Sequence, residues 1–148
     1  GRAMADWLAL VLGTGPVPLV DHSGLAGTSR MTPGEMVRAL VMLGPKAGLR
    51  GLLKEIPMLD AKGRRITGSP VRVDAKTGTL NFVSTLAGYV STPGGRELAF
   101  AIFTGDVARR DAVPDSEKEQ PPGAAGWNRR SKRLQQQLIE RWAAQYGA

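Results

Sequence analysis

Val71-Arg72-Val73-Asp74-Ala75-Lys76-Thr77-Gly78-Thr79-Leu80 alternates apolar and polar residues and then runs into Lys-Thr-Gly-Thr. A period of two predicts a half-buried strand, with Val71, Val73 and Ala75 toward the core and Arg72, Asp74 and Lys76 on the polar face. The end of that strand presents a cation, two hydroxyls and a bare backbone position along one edge. Such an edge suits a ligand with a terminal carboxylate and a peptide-like carbonyl. The ammonium of Lys76 attracts the anion, the hydroxyls of Thr77 and Thr79 orient it, and Gly78 lets a second backbone approach closely. An ordinary edge strand ending in a Thr-Gly turn, with Lys76 as an exposed charge that discourages edge pairing, accounts for the same residues.

Working outward, two more strands follow. Phe82 to Val90 is apolar almost throughout, as a central strand should be, and Glu97 to Thr104 reads as buried on both faces. Thr92-Pro93-Gly94-Gly95 between them is a hairpin turn. Three consecutive strands of this kind predict an antiparallel sheet. The helices lie to either side in sequence. Ala3 to Leu12 has an apolar side of Met4, Trp7, Leu8 and Val11 and stops at Gly13-Thr14-Gly15-Pro16. Thr32-Pro33-Gly34-Glu35 starts a second helix, with Thr32 as N-cap, Pro33 in the first turn and Glu35 completing a capping box. Ala47 to Ile56 reads as a further short helix, Lys62 to Ser69 as a polar loop, and Val107 to Ala125 as an exposed loop. Asn128 to Tyr146 is an amphipathic helix whose stripe of Leu134, Leu138, Trp142 and Tyr146, with Ile139 and Ala143 beside it, should lie on the sheet. The fold class is therefore α/β of the α+β type, an antiparallel sheet flanked by helices.

Composition narrows the chemistry. The chain has 148 residues, enough for one domain with a sizeable core, and no internal repeat. Its longest apolar stretches are too short to span a membrane. It begins with Gly1, so the want of a leader says nothing about compartment. Without cysteine there is no disulfide, no thiolate nucleophile and no cysteine-based metal site. His22 is the sole histidine, so a multi-histidine metal site is excluded, and no metal or other cofactor is expected. The formal net charge is +7, much of it in Arg129, Arg130, Lys132, Arg133 and Arg141. That run lacks the interleaved aromatics on which bases stack, which favours a solvated helix face over a nucleic-acid site. Attraction to an anionic envelope polymer is the intermediate reading.

Several segments occur together in an order that carries further meaning. Asp21-His22-Ser23-Gly24-Leu25 comes first, then Thr32-Pro33, then Ala75 to Leu80, then Val83-Ser84-Thr85-Leu86-Ala87-Gly88-Tyr89-Val90. Leu98-Ala99-Phe100 and Asn128-Arg129-Arg130 complete the series. Taken together they resemble the C-terminal part of class C penicillin-binding proteins, the D-alanyl-D-alanine carboxypeptidase/endopeptidases of the bacterial envelope. The resemblance implies a β-lactamase/transpeptidase-like fold and a serine enzyme. Such an enzyme cuts D-Ala-D-Ala bonds of peptidoglycan stem peptides through an acyl-enzyme that β-lactams trap. It also implies a periplasmic or cell-envelope location. Lys76 and Thr79 would then be catalytic, Lys76 through its positive potential and help in proton transfer, Thr79 through a backbone N–H in the oxyanion hole. Thr77, Gly78 and Asn81 would contact substrate along the strand. Ser23, Gly24 and Leu25 match a family segment that lines the pocket for the substrate side chain. The sequence departs there: His22 stands in place of glycine, Ala26 in place of serine and Gly27 in place of arginine, with Arg30 as the nearest substitute. Ser23-Gly24 forming only a turn, and His22 being an ordinary surface residue, are the plain readings of that stretch.

The family also needs S-x-x-K, for the nucleophile and its base, and S-x-N, for a second serine and an amide. No serine in this chain has a lysine three residues on or an asparagine two residues on. The expectation is therefore that residues 1–148 form the C-terminal part of a transpeptidase-like domain, incomplete without an upstream segment. Such a chain supplies the Lys-Thr-Gly wall of the site but not the nucleophile, and is inactive alone. Its expected partners are peptidoglycan peptides, β-lactams and the N-terminal portion of the same enzyme, with no nucleic acid. The alternative is a non-catalytic module that holds peptidoglycan through Lys76 and the basic helix.

Overall fold

The alternating stretch forms a strand, Arg72–Leu80 (β2), in the computed structural model, which describes residues 1–24 and 26–147. It pairs antiparallel with Val83–Ser91 (β3), and β3 pairs antiparallel with Glu97–Gly105 (β4). Together with Lys54–Glu55 (β1) they make a four-stranded sheet in the order β1-β2-β3-β4. Helices pack against it, so the chain is a mixed α+β fold of the class its sequence pattern indicates.

β1 was not anticipated. Where the sequence suggested one short helix over Ala47 to Ile56, a single 3-10 turn forms at Leu49–Leu52 and the chain then straightens. Gly48 sits in the left-handed region (φ 60°) and Leu53 is extended, so no α-helix propagates through this stretch. β1 pairs Lys54 with Ala75 and Glu55 with Asp74, then stops.

Residues facing one another across antiparallel strands share a face of the sheet. One face carries Val73, Ala75, Thr77 and Thr79 from β2, with Val90, Leu86 and Ser84 opposite, and Phe100 and Ile102 from β4. Onto it packs the long helix Ala124–Tyr146 (α4), and Ile139 and Ala143 join Val73, Ala75, Leu86, Val90, Phe100 and Ile102 in the main core. The face that α4 buries is turned from the expected stripe: Ser131, Gln135, Ile139 and Ala143 are buried, Leu138 and Trp142 flank them, and Leu134 and Tyr146 are exposed. Gln135 can be buried because its Nε2 donates to the Ser84 carbonyl (3.2 Å) and Oγ (3.1 Å). α4 also starts earlier than expected, at Ala124, and the loop before it holds a short helix, Val107–Asp111 (α3).

The opposite face carries Asp74, Lys76 and Gly78, with Tyr89, Ala87 and Thr85 across from them, and is covered by helix Pro33–Met42 (α2). The α2 start is as its sequence promised: Thr32 Oγ1 accepts from the Glu35 N–H (3.2 Å) and Glu35 accepts from the Thr32 N–H (2.7 Å). Helix Arg2–Leu12 (α1) adds a smaller cluster of Leu8, Leu12 and Val17 beside α2. Its inward residues are Ala5, Leu8 and Leu12, which face α2 and the 17–31 segment, while Trp7 is exposed. Among the described residues no helix is long and apolar enough to cross a membrane.

Candidate functional site

The half of β2 that carries Lys76 to Leu80 has no described strand on its outer edge, because β1 pairing ends at Ala75. The missing continuation would come from Leu53 and Leu52, but the 3-10 turn carries the chain away there and leaves Leu52 exposed. The orientation of the open edge follows from one bond. Ile56 N–H donates to the Val73 carbonyl at 2.8 Å, so the Val73 backbone faces β1. Alternation then turns the N–H and C=O groups of Thr77 and Thr79 outward and those of Lys76 and Gly78 toward β3. The Thr79 N–H thus points out of the sheet at the open edge.

Lys76 is exposed, on the α2 side of the sheet, and its ammonium reaches round the edge to the Thr77 carbonyl (2.6 Å). Thr77 and Thr79 project to the α4 side, where both line a cleft of about 710 Å³ between β2, the 56–63 segment and α4. The edge therefore brings a cation, two hydroxyls, an outward N–H and an outward carbonyl within four consecutive residues. Gly78 has a reason the sequence did not disclose: a Cβ there would lie 2.4 Å from Thr85 Oγ1 on β3. Its bare backbone serves packing against Thr85.

What holds this strand in place is an ion cluster just behind it, built around one buried carboxylate. Asp74, only 3% exposed, belongs to the face expected to be polar and solvated. It is instead gripped by Arg50 Nε (2.8 Å) and Arg72 Nε (3.1 Å). Arg50 also donates to Ser91 Oγ (2.7 Å), pairs with Glu97 and lies 5.8 Å from the Tyr89 ring centroid. One guanidinium thereby ties β2, β3 and β4 together. Burial opposes ionisation of Asp74, but hydrogen bonds and charge from Arg50 and Arg72 outweigh it and hold the carboxyl below its ordinary value. Burial raises the Tyr89 phenol, with Arg50 opposing, and its hydroxyl donates to the Leu40 carbonyl (2.8 Å).

The other end of β2 is fixed by its hairpin. Asn81 and Phe82 form the turn between Leu80 and Val83, so Phe82 belongs to the turn and not to β3. Phe82 takes a left-handed conformation (φ 57°) while almost wholly buried, edge-on to Trp127 with ring centroids 6.4 Å apart and under the Arg109 guanidinium at 4.4 Å. Packing overrides the backbone preference of a bulky residue here. The Asn81 side chain, a candidate substrate contact, donates to the Lys118 carbonyl (2.6 Å) and anchors the 115–118 segment. Asn128 donates to the Leu80 carbonyl (3.0 Å) from α4.

The Ser23-Gly24 candidates occupy a separate loop and do not line the cleft beside Thr77 and Thr79. Asp21 organises that loop, accepting from Ser23 Oγ and from the N–H groups of Gly24 (3.3 Å) and Ala26 (3.2 Å). Leu25, the third candidate there, lies outside the described residues. Arg30 folds back on the carbonyls of Gly27 (2.5 Å) and Ser29 (2.9 Å). His22 is exposed and sits 3.5 Å from the amino group of Gly1. Among the described residues no group of three or more His, Cys, Asp or Glu gathers where a metal ion could be held. Missed by sequence reasoning were Arg50, whose role depends on a strand twenty-four residues away, and the cleft-facing side of α4.

Comparison with known proteins places these features in one context. The profile of the D-Ala-D-Ala carboxypeptidase 3 (S13) family matches residues 8–124, a span that takes in the end of α1, α2, the whole sheet and the Lys76–Thr79 edge. None of the curated proteins matches the chain.

Proposed function

The chain belongs to the D-Ala-D-Ala carboxypeptidase 3 (S13) family, and from that premise we propose that its open β2 edge is the substrate-binding wall of a serine-type D-Ala-D-Ala carboxypeptidase. Membership of a peptidase family carries the general activity. The finer assignment, the C-terminal portion of a class C penicillin-binding protein working on peptidoglycan stem peptides in the cell envelope, is our reading. One observation supports it most: beyond Ala75 the outer side of β2 has no strand partner among the described residues, and that stretch carries Lys76, Thr77, Gly78 and Thr79.

In this reading a D-Ala-D-Ala peptide lies along the edge as an added strand. The outward Thr77 and Thr79 backbone groups pair with its amides, and the Thr77 and Thr79 hydroxyls with Lys76 hold its terminal carboxylate. The Thr79 N–H faces the scissile carbonyl and stabilises the oxyanion that forms when serine attacks. Removing one such donor typically costs on the order of 100- to 1000-fold in rate. Lys76 adds positive potential where negative charge develops. The attacking serine, its lysine base and the second serine come from S-x-x-K and S-x-N, which this chain does not carry. Acylation and deacylation therefore require an upstream segment of the same enzyme, and β-lactams are trapped as acyl-enzymes by that assembled site. In this account Ser23, Gly24 and Leu25 are assigned to the substrate side chain by sequence resemblance alone, with selectivity altered by Gly27. Asn81 acts by fixing the hairpin tip as well as by lying near the substrate path.

The test is D-alanine release from a D-Ala-D-Ala peptide. The isolated chain should release none, and the chain joined to the S-x-x-K and S-x-N segment of its own gene should release it. Turnover by the isolated chain, or none by the folded longer protein, contradicts the proposal.

A further inference from the structure

The cleft on the α4 side of the open edge has a chemistry of its own. Its floor and near wall are apolar, from Ile56, Pro57, Leu59 and Leu86, and its far wall is cationic, from Arg129, Lys132 and Arg133. These three exposed side chains make none of the ion pairs formed among the described residues. Of the acids in the same cleft, Asp60 is engaged by Arg64 at 2.8 Å, and Glu140 lies two helical turns beyond Arg133. Between the walls stand the Thr77 and Thr79 side chains, with the outward N–H and C=O groups of the same residues at the rim. At about 710 Å³ the cleft has room for several residues of an extended chain.

We propose that this cleft binds an extended acidic peptide, which adds as a strand to the Thr77–Thr79 edge and sets its carboxylates against Arg129, Lys132 and Arg133. Two features select a peptide over a phosphodiester polymer. The open edge offers donors and acceptors in alternation, which an amide backbone matches and a chain of phosphates, bearing acceptors alone, does not. The apolar floor accepts aliphatic side chains from the same strand that sends carboxylates to α4. Period-two alternation in the ligand delivers every second side chain to this face, so acidic and apolar residues both have places along the cleft. The proposal rests on the reading of the β2 edge as a strand-adding wall and adds to it a cationic subsite on α4; binding here needs no nucleophile, so it is tested apart from D-alanine release.

The experiment uses the chain as it stands and a short fluorescein-labelled peptide of Glu-Ser-Val-Ser repeats, which sends Glu and Val to one face, with its Gln-for-Glu counterpart and inorganic polyphosphate for comparison. Binding is followed by fluorescence anisotropy. The Glu peptide should bind at least about tenfold more tightly than the Gln peptide. The double variant Arg129→Glu/Arg133→Glu should lose about tenfold or more, whereas Arg141→Glu, on α4 but outside the cleft, should change little. Thr79→Pro, which removes an outward N–H and keeps every cation, should weaken the Glu peptide comparably and leave polyphosphate binding unchanged. Should that variant not fold by circular dichroism, amide exchange of the unaltered chain decides: peptide should slow the Thr77 and Thr79 amides. Equal binding of Glu and Gln peptides, no binding at all, tighter binding of polyphosphate than of the Glu peptide, or unslowed Thr77 and Thr79 amides would each overturn the proposal.

Discussion

At the scale of single residues, Asp74 and Gly88 set the position of the functional strand. Asp74 is ionised and buried between Arg50 and Arg72, with its carboxyl held below the ordinary value near 4. A depressed folded-state value means that ionised Asp74 contributes stability fully at neutral pH. That contribution falls away only as pH drops below about 4 and through the lower folded value. Asp74→Asn should therefore lower stability by about 2 kcal/mol at pH 7, and by less in acid, where the unaltered protein has lost the same contribution; urea unfolding at both pH values measures the difference. An equal cost at both would show that the ion cluster does not act as described. At Gly88 a Cβ would stand 2.2 Å from the Asp74 carbonyl oxygen and 2.6 Å from Ala75 Cα, a collision with backbone that no rotamer relieves. Gly88→Ala should cost about 2 to 3 kcal/mol by pushing β2 away from β3, whereas Gly15→Ala, in a loop with open space around it and no left-handed backbone, should cost less.

At the scale of elements, the orientation of β2 makes a prediction about each amide. Thr77 and Thr79 N–H groups face outward and should exchange quickly with solvent deuterium, while Lys76 and Gly78, turned toward β3, should be protected. The reverse pattern would place the wrong atoms at the open edge. The rotation of α4 is testable too: Ile139→Ala should cost about 3 kcal/mol, since Ile139 is wholly buried, and Leu134→Ala little, since Leu134 is exposed. Sequence alone carried the β2–β3–β4 order, the α2 start and the Lys76–Thr79 edge, because period-two alternation, the Thr32 capping box and the Thr92–Gly95 turn are local signals. It did not carry β1, whose two residues become a strand only by pairing with Ala75 and Asp74. Nor did it carry the seam of α4, because Gln135 looks polar until Ser84 is brought beneath it. Arg50 was invisible for the same reason: its partners come from three strands that only the folded sheet brings together.

For the whole molecule, no strand among the described residues pairs with the outer side of the Lys76–Leu80 half of β2 or with the outer edge of β4. Along β4, from Glu97 to Gly105, the sequence between the end residues is apolar save for Thr104 and holds no proline or charge to discourage pairing. The isolated chain should accordingly self-associate with rising concentration, which sedimentation velocity reports; a strictly monomeric chain at high concentration would argue that the β4 edge is protected. In our account the β2 margin is where substrate adds, and the catalytic serine arrives from a segment bearing S-x-x-K and S-x-N. The most direct measurement is covalent labelling by a fluorescent penicillin of the longer protein that includes that segment, with Lys76→Ala alongside. The account predicts strong labelling of the unaltered protein, at least about a hundredfold slower labelling of Lys76→Ala, and none of the isolated chain. Labelling at the same rate in Lys76→Ala, or no labelling of the folded longer protein, would contradict it.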